Sequence, residues 1–163
     1  MTSTSLVLVA HNGRDESPAY AARVAEWCRT HGVEFWLPPL DAAELGLGRF
    51  GSERPVSDAD VVVSLGGDGT MLRSVDLLGG AEVPLIGINL GSLGYLTEVE
   101  PDAMTDALDR FVLGAEAGEW HLDRRMMLDV LVNGELVGRA LNEAVVEKNK
   151  SGHTVRLLAR IDG

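Results

Sequence analysis

This 163-residue sequence predicts an α/β fold with a doubly wound, mostly parallel sheet, followed by the start of a β-rich second region. Three observations carry that prediction. Short apolar runs alternate with helix-patterned stretches through the first two thirds of the chain. The run Val61-Val62-Val63-Ser64-Leu65 is apolar almost throughout, as a strand buried on both faces must be. From His121 onward, strand formers and turn dipeptides follow one another with no helix between them.

Residues 6–10 read as the opening strand. A helix comes next, with Ser17 as N-cap, Pro18 at the first helical position, apolar residues at Tyr20, Val24 and Cys28, and Gly32 as the stop. Residues 33–37 read as a second strand, ended by Pro38-Pro39, and 61–65 as the third. Between them, Gly46-Leu47-Gly48-Arg49-Phe50-Gly51 matches the GxGxxG dinucleotide spacing. Helix-like 41–45 precedes it, however, and 52–55 follow, whereas that fingerprint needs a strand before and a helix after. We read it as a loop. Residues 71–78 have a helical pattern and 84–88 form a fourth strand. Pro101-Asp102 then opens a helix through Ala107, Leu108 and Phe111, with an exit loop to about residue 119.

The chain changes character near Trp120, which places an α/β domain at 1–119 and the first strands of an incomplete β domain at 120–163. Residues 1–119 hold 7 Arg, no Lys and 19 acids, a charge of −12, while 120–163 hold 7 bases and 6 acids, a charge of +1. In the second region, 126–132, Asn133-Gly134 and 136–137 give a hairpin signal, because Asn-Gly supplies the two positive-φ positions of a type I′ turn. Residues 141–146 and 155–161 read as further strands. Asp162-Gly163 is a hairpin-turn pair with no strand after it, which suggests an incomplete domain.

Composition narrows the function classes. A hydrophobic share of 45% with 24% charged residues is ordinary globular usage, and no apolar run approaches the roughly 18 residues of a membrane helix. No signal peptide is read at the N-terminus, since Met1-Thr2-Ser3-Thr4-Ser5 carries no positive charge, so the expectation is a cytoplasmic enzyme without a membrane partner. The net charge of −11 argues against nucleic acid, whose phosphates call for clustered Lys and Arg. The single Cys28 lies in the helical pattern four residues after Val24 and reads as a core thiol. His121 and His153 read as loop or surface residues, and no His pair or Cys/His cluster has metal-ligand spacing. Lys148, Lys150 and Arg156 read as a solvated edge.

The chemistry concentrates at Gly66-Gly67-Asp68-Gly69-Thr70, between the third strand and a helix, at the carboxyl end of a parallel strand where such folds bind ligands. Glycines there let the backbone approach phosphate oxygens, and the N–H groups opening a helix face an anion with the helix dipole behind them. A carboxylate amid that turn would repel phosphate unless it had another task. Asp68 could accept a proton from an attacking hydroxyl or hold a divalent metal. The bland alternative is an ordinary Gly-rich turn with Asp68 as a helix cap. A P-loop is excluded, because the first lysine of the chain is Lys148. A second glycine-rich stretch, Gly87-Ile88-Asn89-Leu90-Gly91-Ser92-Leu93-Gly94-Tyr95-Leu96-Thr97, should lie beside the first; Tyr95 is either a stacking face for a base or a packing residue under a tight turn.

Together these segments resemble the NAD kinase family. Its GGDGT stands at 66–70, its G-I-N-x-G-x-L-G-[FY]-L-T segment at 87–97, its R-x-M-L-type strand at 125–128 and its Asn-Glu pair at Asn142-Glu143. Diacylglycerol, sphingosine and phosphofructokinases share GGDGT- or GGDGS-like turns, so the ordered set carries the specificity. The resemblance implies phosphoryl transfer from ATP or polyphosphate to the 2′-hydroxyl of the adenosine ribose of NAD, giving NADP, with Mg²⁺ or another divalent metal. It implies Asp68 as the general base, Gly67 and Gly69 beside it at the NAD and phosphate contacts, Tyr95 lining the NAD site, and Asn142 and Glu143 contacting NAD from an all-β NAD-binding domain over 120–163. The implied partners are small-molecule nucleotides and further copies of the chain, as dimer or tetramer.

The family's T-P-T-G-S-T-A-Y stretch is not found in this chain, which is expected to cover roughly the first half of a family member. Asp162 aligns with a strand-turn residue and is assigned no catalytic role. Two alternatives stay open: a nucleotide-binding but catalytically incomplete fragment, and another GGDGT-type kinase acting on a lipid or sugar.

Overall fold

The structure, a computed structural model, describes residues 4–11, 13–91, 94–114, 121–147 and 158–160. It divides into two compact units, Met1–Asp123 and Arg124–Gly163. The first contains four parallel strands, β1 (Ser5–Ala10), β2 (Glu34–Trp36), β3 (Val61–Gly66) and β4 (Leu85–Asn89), in the spatial order β2-β1-β3-β4. The helices between and after them are α1 (Ser17–His31), α2 (Pro39–Glu44), α3 (Asp68–Leu78) and α4 (Met104–Leu108). β1 and β3 are buried along their whole length. That explains their almost wholly apolar sequences: both faces of the sheet are covered.

The strand period of two sorts the side chains. Leu6, Leu8, Val63, Leu65 and Ile88 join one core with Val24 and Cys28 of α1 and Met104 and Leu108 of α4. Val7, Val9 and Val62 join a second core with Leu78 of α3, Val56 and Ala59. Helices on both faces make the sheet doubly wound, as the sequence predicts. Each fully buried Leu or Val side chain contributes about 1.5–3 kcal/mol, so the sheet is a stiff platform for whatever its loops hold.

The element boundaries shift in four places that have physical causes. Ser17 is the first residue of α1, not its cap; its N–H donates to the Arg14 carbonyl in the preceding turn, and its buried Oγ has no partner among the described residues. Gly32 ends the helix with φ 68°, as expected of the glycine stop. Pro39 opens α2 rather than only closing a strand. The GxGxxG stretch holds a short 3₁₀ turn, Gly48–Phe50, with Leu37 bridged to Gly51, so the loop reading stands. Helix α3 begins at Asp68, three residues earlier than its apolar pattern suggests, because Gly67 in extended conformation caps it. The last helical stretch is a 3₁₀ turn (Pro101–Ala103), α4, and a π-type turn (Asp109–Leu113). The predicted exit loop runs into 115–120, outside the described residues.

Among its described residues the second unit contains one antiparallel hairpin, β5 (Leu128–Val132) and β6 (Glu135–Ala140). Its turn is Asn133 (φ 51°) and Gly134 (φ 86°), the two positive-φ positions that Asn-Gly predicts. The strand expected at 141–146 is not formed. A strand needs a ladder partner, and 141–147 find none among the described residues. Of the strand expected at 155–161, residues 158–160 are irregular and the others lie outside the described residues, as do Lys148, Lys150, His153, Arg156, Asp162 and Gly163. Among the described residues no helix is long and apolar enough to cross a membrane.

Candidate active site at the carboxyl edge of the sheet

Strand register decides which loops meet. Ala10 pairs with Leu65 and Gly66 with Asn89, so β1, β3 and β4 end level with one another. The N–H of His11 donates to the Leu65 carbonyl (2.9 Å) and that of Leu90 to the Gly66 carbonyl (2.8 Å), which carries the alignment one residue past the strands. The loop after β1, the Gly66-Gly67 turn and the glycine-rich segment after β4 therefore emerge side by side. Chain order reverses between β1 and β3, and this is where open α/β sheets leave a crevice for ligands.

Asp68 joins two of these loops. Its carboxylate accepts the backbone N–H of Tyr95 (2.9 Å, Oδ2) and of Leu96 (3.0 Å, Oδ1). A carboxylate has about four lone-pair sites, so each oxygen keeps one in addition to these bonds. Glycine is required around it. A Cβ on Gly94 would fall closer than 3.0 Å to Asp68 Oδ1, and one on Gly66 closer than 3.0 Å to the side chain of Thr70. Gly69 differs: a Cβ there would meet nothing within 4 Å. Nothing in the fold asks for glycine at that position. Thr70 is buried, and its Oγ1 has no hydrogen-bond partner among the described residues.

Beside Gly69 and Thr70 opens a pocket of about 260 Å³, also lined by His11, Leu40, Asp41 and Arg73. Asp41 is 2% exposed and is held by the N–H of Ala10 (3.0 Å) and by both guanidinium nitrogens of Arg73, one at 3.1 Å. Arg73 also donates to the Ala10 carbonyl (3.2 Å). A buried acid thus fixes a half-exposed cation one turn into α3, facing the turn's open side. Arg14 approaches from the other loop, with its guanidinium donating to the Leu90 carbonyl.

Tyr95 is 92% exposed, so its ring is not a packing residue under a turn; its backbone N–H is engaged, at Asp68. Asn142 and Glu143 lie exposed in the second unit, directly after β6 and outside regular structure. Gly67, Asp68, Gly69 and Tyr95 are thus brought together within the first unit. Arg14, Asp41 and Arg73 escaped the sequence reading. A signal existed: with no lysine and only seven arginines in residues 1–119, any arginine near a strand's carboxyl end is a candidate counter-charge for phosphate. Among the described residues no group of three or more His, Cys, Asp or Glu converges to hold a metal.

Comparison with known proteins places this geometry. The family model described as the ATP-NAD kinase N-terminal domain matches residues 50–116, which include Gly66-Gly67-Asp68-Gly69-Thr70 and the segment after β4. The chain is 40% identical over 162 residues to the NAD kinase of Corynebacterium diphtheriae, covering 90% of this chain and 50% of that protein. It is 34% identical over 179 residues to the NAD kinase of Mycobacterium bovis, covering 98% of this chain and 57% of the relative. It is also 34% identical over 148 residues to that of Methanothermobacter thermautotrophicus. Its fold is similar to the crystal structure of yeast NADH kinase complexed with NADH, with TM-score 0.56 and 21% identity over 66% of this chain and 35% of that one. The chain spans about half the length of the curated relatives it matches. With the glycine turn, its partner segment and their order all matched, the chain is similar to NAD kinases over 90–98% of its own length.

Proposed function

We propose that the protein is an NAD kinase, transferring a phosphoryl group from ATP or polyphosphate to the 2′-hydroxyl of the adenosine ribose of NAD to give NADP. The observation that carries this reading is the meeting of the two glycine motifs at Asp68, whose carboxylate is oriented by the N–H groups of Tyr95 and Leu96. Phosphoryl transfer asks little covalent chemistry of a protein. It asks for positioning and for charge opposite the phosphates. Asp68, fixed at the first turn of α3, serves as general base and receives the proton of the 2′-hydroxyl on a lone pair its backbone partners leave open. Gly67 and Gly69 let phosphate and ribose approach the backbone; the open space at Gly69 supports this.

Tyr95, with its ring in solvent, offers a stacking face to the NAD. Asn142 and Glu143 contact the NAD ribose from the second unit, a role resting on the family motif alone. Asp68, with one lone pair free on each carboxylate oxygen, is the residue that would hold a divalent ion such as Mg²⁺ together with the donor's phosphates. When bound, the ion supplies neutralisation of phosphate charge. The resemblance to NAD kinases also carries the proposals of a homo-oligomer, measurable by light scattering, and of a cytoplasmic location.

The test is NADP formation by the purified protein from NAD with ATP or polyphosphate and Mg²⁺ or Mn²⁺. Asp68→Asn should lower kcat about a hundred- to ten-thousandfold. No NADP under any of these conditions, or a wild-type rate in Asp68→Asn, refutes the reading. Calorimetric binding of ATP and NAD without turnover would instead identify a nucleotide-binding chain that is catalytically incomplete.

A further inference from the structure

Arg14 stands apart from five other arginines of the first unit. Arg29, Arg54 and Arg73 are paired with Glu26, Glu34 and Asp41, and Arg23 and Arg49 lie over the rings of Tyr20 and Phe50. Arg14 meets no carboxylate among the described residues; its bond is to the carbonyl of Leu90. The neighbouring glycine is shaped to that placement, since a Cβ on Gly91 would fall closer than 3.0 Å to the guanidinium. On the other side, the position of a Cβ on Gly67 is 3.9 Å from an Arg14 nitrogen. The guanidinium therefore lies between the two glycine motifs, at the switch point of the sheet.

A guanidinium carries five N–H donors in a fixed fork that matches phosphate oxygens. One carbonyl occupies only part of that fork. Asp68 is engaged by backbone N–H groups and does not neutralise Arg14. A turn that binds polyphosphate in a domain of charge −12 without a lysine needs a cation, and Arg14 is positioned to supply it. We propose that Arg14 is a phosphate-binding residue of the donor site, its guanidinium hooked on the Leu90 carbonyl and facing a polyphosphate chain laid on the Gly66-Gly67 turn. The proposal rests on the kinase reading for the identity of the donor, but the anion site itself can be tested without turnover.

The experiment titrates the protein with inorganic tripolyphosphate by calorimetry and measures KM for ATP and NAD, for wild type, Arg14→Ala, Arg14→Lys, Gly91→Ala and the Arg14→Ala/Gly91→Ala double variant. Arg14→Ala should weaken tripolyphosphate about ten- to a hundredfold and raise KM for ATP alike, with KM for NAD within about twofold. Arg14→Lys should restore part of the loss, as it keeps the charge but not the fork. Gly91→Ala, whose methyl takes the guanidinium's place, should weaken tripolyphosphate in the wild-type background and add nothing to Arg14→Ala. Equal tripolyphosphate affinity in wild type and Arg14→Ala overturns the proposal, as does a shift in KM for NAD in place of ATP. Wild type that binds tripolyphosphate through Arg14 yet makes no NADP sinks the NAD kinase reading and upholds the site. Wild type that neither binds nor turns over sinks both.

Discussion

The Asp68 clamp makes a prediction that needs no substrate. Gly94→Ala places a methyl closer than 3.0 Å to Asp68 Oδ1, the oxygen that accepts the Leu96 N–H. Thr97 Oγ1, 3.0 Å from the same methyl, closes the other way out, so the carboxylate must turn and give up its bond. A hydrogen bond to a charged group contributes about 1.5–3 kcal/mol, and 1.4 kcal/mol is tenfold in an equilibrium. Leu96 is 5% exposed, so its amide should feel the full effect and exchange with solvent about ten- to a hundredfold faster. Tyr95 is exposed, so water competes for its amide and about tenfold is expected there. Hydrogen exchange followed residue by residue in wild type, Gly94→Ala and Asp68→Ala is the assay. If both amides keep wild-type protection in Gly94→Ala, the clamp is not what orders this segment, and the account of why Gly94 is glycine fails with it.

Two further perturbations read the core. Asp41→Ala leaves the Ala10 N–H without its acceptor and Arg73 without its partner; with Asp41 buried and Arg73 41% exposed, the cost should be about 2–4 kcal/mol, measured by urea unfolding, and less than about 1 kcal/mol would refute the buried-pair reading. Cys28 is a core thiol whose burial pushes its pKa up to about 12 from 9.0. Alkylation at pH 8 should therefore be slow in the folded protein and fast in urea. The sign for stability follows from the raised value: the contribution is intact below pH 9, and as pH climbs from 9 towards 12 the unfolded thiol ionises first, removing about 1.4 kcal/mol per pH unit.

Much of the fold was legible because its signals are local. The nearly continuous apolar runs of β1 and β3 state that both faces are covered, Gly32 states where α1 stops, and Asn133-Gly134 states the turn between β5 and β6. Spacing went wrong where a neighbour decides the outcome. Residues 141–146 have strand composition, yet a strand exists only with a ladder partner, and none is found among the described residues. Helix α3 starts at Asp68 because Gly67 adopts an extended cap, a backbone choice that the apolar pattern of 71–78 does not report.

The sequence by itself determined the α/β class, the glycine turn, its order with the later motifs and hence the resemblance to NAD kinases. Only the tertiary structure decided what those residues do to one another. Asp68 meets Tyr95 and Leu96 across 27 and 28 positions, Asp41 meets Arg73 across 32, and Arg14 meets Leu90 across 76. These contacts are set by the register that ends β1, β3 and β4 at one level, and register is a property of paired strands. Side-chain periodicity along one segment reports which face is buried; it carries no information about which distant loop will stand beside it.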